Sequence, residues 1–168
     1  KNIVLIPPWW AKNTIAMAED VETEEFASLV HDVTLAALTQ WLAQPGSDVE
    51  KALKHAMRAR HSELTQESRC KIAQGVLGIA VAYGRLQHCL QRLQRQTDAP
   101  NLMELWKQQD ELILFDETEV VSLSTRLATT WSVPQWMAEN WLCQFGAMDA
   151  FQLGKAMAKP ARVTLRVN

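Results

Sequence analysis

The sequence predicts a mainly α-helical fold, and three observations carry that expectation. Apolar residues recur at three- and four-residue intervals along most of the 168 residues, helix-start spellings precede several of these stretches, and Pro or Gly follows them. The exception is the end of the chain, where Val163, Leu165 and Val167 alternate with Arg162, Thr164 and Arg166 in the period-two pattern of a strand. A lone strand leaves its backbone groups unpaired. Its partners are therefore expected either in the apolar run Glu111-Leu112-Ile113-Leu114-Phe115 or, preferably, in a sheet continuing past residue 168.

Element by element, the first twenty residues, with Pro7, Pro8, Trp9 and Trp10, read as an extended arm that packs its rings on a neighbour. From Thr23 the spacing of Phe26, Leu29, Val30, Val33, Ala37, Leu38, Trp41 and Leu42 predicts a helix, stopped by Pro45 and Gly46. Ser47 and Glu50 spell a capping box for a second helix, with Val49, Leu53, Ala56 and Met57 on its apolar side. Residues 66 to 96 hold the cleanest seam, in which Ile72, Val76, Ile79, Tyr83, Leu86, Leu90 and Leu93 alternate by four and three. Gly75, Gly78 and Gly84 lie inside that pattern. Each costs about 1 kcal/mol relative to alanine in a helix interior, so close packing or a bend is expected there.

Thr97, Asp98 and Pro100 break the seam, and a short helix follows around Leu102 to Gln109. The ELILFDETEV segment fits helix or strand equally. Ser132 and Gln135 spell another capping box, Pro134 suits a first helical turn, and Gly146 supplies the stop. A last helix is expected from about Met148 to Ala158, before Pro160. Trp131, Trp136 and Trp141 stand five residues apart, about 500° on a helix, so Trp136 and Trp141 cannot share one narrow stripe. Met137 and Trp141 are expected on one side, with Trp136 facing elsewhere.

Several function classes have no support. The longest apolar stretches fall far short of the ~20 residues of a membrane span, and KNIVLIPPWW lacks a signal-peptide pattern, so a cytoplasmic chain without a membrane partner is expected. Cys70, Cys89 and Cys143 form no C-x-x-C pair and read as buried small hydrophobes. His31, His55, His61 and His88 show no metal-ligand spacing, and no nucleophile elbow or phosphate loop is spelled. No catalytic or metal-ligating residue is assigned.

The formal net charge of −2 conceals blocks: −6 over residues 1 to 50, +6 over 51 to 100, −4 over 101 to 130 and +2 over 131 to 168. A polyanion responds to the local field, so the middle block is where a basic face is sought. Lys51, Lys54, His55 and Arg58 fall at i, i+3, i+4 and i+7, and Arg85, His88, Arg92 and Arg95 at i, i+3, i+7 and i+10. Such rows can track phosphates, releasing counterions as they bind. An amphipathic helix also shows a solvated charged face for no functional reason, and spacing alone leaves both readings open.

The run Trp131-Ser132-Val133-Pro134-Gln135-Trp136-Met137, followed by Gln144-Phe145-Gly146, resembles the S-x-P-x-W-[LM] segment of the RNA 5-methylcytosine methyltransferases of the RsmB/Sun type. In that family one further helix leads to P-x-T-L-R-x-N, which Pro160 to Asn168 resembles. Upstream, Gln74-Gly75-Val76-Leu77 and the leucines from Leu86 to Leu93 are similar to the NusB-like helical RNA-binding domain of the bacterial members. The resemblance implies a NusB-like helical bundle over residues 1–125. Over 126–168 it implies a helical linker and the first strand of the methyltransferase N-terminal subdomain.

The family's catalytic core, with its S-adenosylmethionine loop and paired catalytic cysteines, has no counterpart in these residues. The chain is therefore expected to hold no cofactor itself and not to be catalytic alone, S-adenosylmethionine being implied for a catalytic domain outside it. The expected task is to bind structured RNA, ribosomal RNA foremost, and position it for that domain. Lys51, Lys54, Arg58, Arg85, Arg92 and Arg95 would contact phosphates, while Lys155, Lys159, Arg162 and Arg166 would line the approach to the active site. The rival expectation is a non-catalytic helical module that meets a protein partner through its tryptophans.

Overall fold

In a computed structural model of the chain, residues 24–44, 46–108, 112, 114–115 and 121–158 are described, and the apolar periodicities of the sequence become helices. These are α1 (Glu24–Ala43), α2 (Val49–Ala59), α3 (Gln66–Val81), α4 (Tyr83–Arg92), α5 (Ala99–Lys107), α6 (Leu123–Trp131) and α7 (Gln135–Met157). The described residues contain no strand. The arm expected over residues 1–20, the strand expected over 162–168 and most of ELILFDETEV lie outside them.

The chain divides into two units, one ending at Leu114 and one beginning at Phe115. In the first, α1 packs against α2, α3 and α5, and α5 also packs against α4. Leu38 of α1, Ile72, Val76 and Ile79 of α3, Leu86 and Leu90 of α4 and Leu102 of α5 are almost wholly excluded from solvent. Burying one such side chain contributes roughly 1.5–3 kcal/mol, so these aliphatic residues hold the bundle together. Trp41 meets Tyr83 edge-to-face, centroids 5.2 Å apart, which ties α1 to the start of α4.

Local chemistry sets the boundaries, in places differently from the sequence reading. The single seam expected over 66–96 is two helices, because Ala82 (φ −88°, ψ 4°) interrupts regular geometry. Leu93, expected in the seam, is 55% exposed, since α4 ends at Arg92 and Gln94 turns left-handed (φ 53°) while the Arg95 N–H bonds the Leu90 carbonyl. Asp48, not Ser47, caps α2, its carboxylate accepting from the Glu50 N–H at 2.9 Å. The Ser47 hydroxyl instead donates to the Trp41 carbonyl. Asp98 caps α5 through the Asn101 N–H, so this helix starts three residues before Leu102.

The second unit is a smaller arrangement of α6 and α7. Ser132 does not cap α7: it is left-handed (φ 53°) and closes α6, with the Val133 N–H bonded to the Ala128 carbonyl at 3.0 Å. An N-cap needs an extended backbone, so the capping box expected from Ser132 and Gln135 is incompatible with this geometry, and Pro134 precedes α7 instead. Within α7, Gly146 (φ 74°, ψ 173°) occupies a region open essentially only to glycine and separates two helical stretches, as its expected stop role requires. Leu127, Ala128, Ala138, Trp141 and Ala150 form the core. Trp141 is 9% exposed and Trp136 64%, so the two rings do face different ways.

Two glycines are fixed by aromatic neighbours. A Cβ on Gly78 would lie 2.4 Å from the Trp106 ring, and one on Gly154 would lie 2.3 Å from the Trp131 ring. A Cβ on Gly75 would meet nothing nearer than Thr34 Cγ2 at 3.7 Å, an ordinary contact. Gly78→Ala should therefore destabilise the protein by about 1–2 kcal/mol, overpacking outweighing improved helix propensity, while Gly75→Ala should stabilise it by up to about 1 kcal/mol. Urea unfolding of the two variants beside the parent protein measures both signs.

Candidate nucleic-acid interface

The first basic row stands on the outer face of α2. Ala52, Leu53 and Ala56 turn inward, and the geometry that buries them leaves Lys51, Lys54, His55 and Arg58 exposed. The row extends about 10 Å along the helix from Lys51 to Arg58. Within it, Lys54 Nζ pairs with Glu50 Oε2 at 3.5 Å, with side chains 67% and 63% exposed. Exposed i,i+4 pairs of this kind contribute only about 0.3–0.5 kcal/mol, so an incoming phosphate can compete for the ammonium. Beyond the row, Arg60 pairs with Glu63 and Arg69 donates to the His61 carbonyl, adding cations held by local contacts.

The second row is used differently. Arg85 is 9% exposed, against the core beside Cys89. Arg92 Nη1 donates to the Leu114 carbonyl at 2.7 Å, and His88 Nε2 lies 2.9 Å from the same oxygen. Because a carbonyl only accepts, that contact selects the tautomer carrying the proton on Nε2. Arg95 Nη2 donates to both Asn101 Oδ1 and Glu104 Oε2. Three of these four side chains thus fasten α4 and the turn after it to α5 and Leu114, and the fourth is buried.

Of the remaining residues expected at the RNA interface, Lys155 is half-buried in the last turn of α7, and Lys159, Arg162 and Arg166 lie outside the described residues. Cys89 is buried, and burial pushes its thiol above the ordinary range against the opposing pull of Arg85 and Arg92. Cys70 and Cys143 are exposed, contrary to the expectation of buried hydrophobes, because each falls on the solvent side of its helix. Among the described residues no group of three His, Cys, Asp or Glu side chains converges as metal ligands, and no helix is long and apolar enough to cross a membrane.

No known protein family, curated protein or solved structure matches the chain.

The Arg95–Glu104 contact gives a pH signature. The hydrogen bond from Arg95, then its charge, holds the Glu104 carboxyl below its usual range. A depressed folded-state pKa contributes stability above the unfolded value, and that contribution is lost as pH falls through the folded value. Glu104→Gln should therefore lower the Tm slightly near neutrality, the gap to the parent protein closing as acid protonates Glu104. Thermal unfolding followed from neutral pH into acid gives the comparison.

Proposed function

We propose that this chain binds structured RNA, ribosomal RNA foremost, through the outer face of α2. In this reading it is the N-terminal region of an S-adenosylmethionine-dependent RNA cytosine-5 methyltransferase, delivering RNA to a catalytic domain outside these residues. The observation that carries the RNA reading is the exposed row Lys51, Lys54, His55 and Arg58, raised on a helix whose opposite side is anchored in the bundle. The methyltransferase attribution rests on the resemblance of residues 131–146 and 160–168. Since Arg85 is buried and Arg92 and Arg95 are engaged by the Leu114 carbonyl, Asn101 and Glu104, the α2 row is the part of the expected interface best able to meet phosphates without rearrangement.

A second reading is favoured by a different observation. Trp136, Phe145, Met148 and Met157 of α7 are 64%, 49%, 77% and 61% exposed, an apolar display suited to a protein partner. RNA titrations separate the two readings. Each phosphate contact removed should reduce the slope of log K against log salt by roughly 0.7–0.9. The variant Lys51→Ala/Lys54→Ala/Arg58→Ala should bind a structured ribosomal RNA fragment more weakly, with the slope flatter by about 2, while unfolding at the parent's Tm. An unchanged slope removes α2 from the interface, and no affinity at either of two salt concentrations favours the protein-partner reading.

A further inference from the structure

Lys51, His55 and Arg58 stand at i, i+4 and i+7 of α2, a spacing that sets them in one stripe on the outer face of the helix, and all three are exposed. Lys54 turns to Glu50. Among the described residues the His55 ring takes part in no hydrogen bond or ion pair, so its place in the stripe is open to a ligand. The neighbours that share its face, Lys51 and Arg58, are both cations.

The rest of the unit leaves the ring alone. Helices α1 and α3 pack against α2. The titratable groups of α1 are Glu24, Glu25, His31 and Asp32, of which His31 lies 3.5 Å from Asp32. Those of α3 are Glu67, Arg69, Cys70 and Lys71: Glu67 pairs with Lys71, and Arg69 donates to the His61 and Leu64 carbonyls. Past the end of α2, Arg60 pairs with Glu63. None of them is bonded to His55.

Histidine ordinarily changes its charge between about pH 5 and 8, so the stripe holds two permanent cations and, between them, a conditional one. A phosphate laid along the stripe meets all three. An opposite charge nearby favours the charged form of a titrating group, and the imidazolium donates from both ring nitrogens where the neutral ring donates from one. We propose that His55 is a proton-linked phosphate ligand: RNA held on α2 draws one proton from solvent onto the ring, and the chain binds RNA more weakly as pH rises. The sign follows from linkage. The ring holds its proton more firmly in the complex than in the free chain, so the gain in affinity is present in acid and is lost as pH rises through the value the ring has in the complex. This inference rests on the RNA reading above and adds to it a contact that exists only when His55 is charged.

The test titrates the 168-residue chain with a structured ribosomal RNA fragment at about pH 6 and about pH 8, each at two salt concentrations. The parent protein should bind about three- to tenfold more tightly at the lower pH, with the slope of log K against log salt steeper there by roughly 0.7–0.9. His55→Gln has no charge to gain and should lose that pH response, while His55→Lys, charged throughout, should keep the tighter binding at both pH values. Both variants should unfold at the parent's Tm, since the ring has no contact to lose. Imidazole NMR reads the proton directly: the His55 titration midpoint should rise when RNA is bound, and that of His31 should stay where it is. RNA binding whose pH response survives in His55→Gln, or a His55 midpoint that RNA does not move, overturns the proposal and leaves the RNA reading standing. No RNA binding by the parent at either pH overturns both.

Discussion

The seating of the Trp106 ring on the bare Cα of Gly78 is the constraint on which the first unit depends. A Cβ there would sit 2.4 Å from the ring, well inside contact distance, so α5 approaches α3 this closely only because residue 78 has no side chain. Leu102 and Leu105 of the same short helix are thereby sunk beside Ile79 and Leu86. The ring also forms a wall of a cavity between α1, α3 and α5. Interiors pack at crystal-like density, so a gap next to a tightly seated aromatic is set by local choices of residue size. Here those choices are Gly78, which admits the ring, and Gly75, one helical turn earlier, which leaves space beside it.

The same device recurs with Trp131 and Gly154 in the second unit. The core there is slight, three of its five buried residues being alanines, and the large rings of Trp141 and Trp131 supply much of the apolar area. Gly146 makes this possible. Its positive φ lets the stretch after it leave the axis of the stretch before it, so that Ala150 as well as Ala138 belongs to the same cluster as α6 and Gly154 lies against the Trp131 ring. A helix continued through residue 146 would carry Ala150 along the original axis.

Helix existence was legible from periodicity, because burial of an apolar stripe drives it and survives errors at the ends. The seam Ile72, Val76, Ile79, Leu86, Leu90 emerged as the centre of the bundle. Caps were less legible, since adjacent polar residues compete for one backbone N–H: Asp48 caps α2 because Ser47 is drawn to the Trp41 carbonyl. Helix α6 carried a weak signal. Three threonines dilute its propensity, and only the Ser122 cap with Leu123, Leu127 and Trp131 at four-residue spacing marks it. The outward turn of Trp136 followed directly from its five-residue offset from Trp141.

Charge was the least legible property, for a reason visible in the two basic rows. Both have helical spacing, yet spacing describes only one helix, whereas the fate of a cation depends on what the rest of the chain brings to it. At α2 the chain brings little besides Glu50, and the row faces outward. At α4 it brings the Leu114 carbonyl, Asn101 and Glu104, all distant enough in sequence that no local pattern reveals them. A guanidinium offers several donors in a fixed fork and is more weakly hydrated than an ammonium, which suits it to such internal fastening. The division of labour follows: the row with three arginines is taken up by contacts within the bundle, and the lysine-led row on α2 keeps its charge in water.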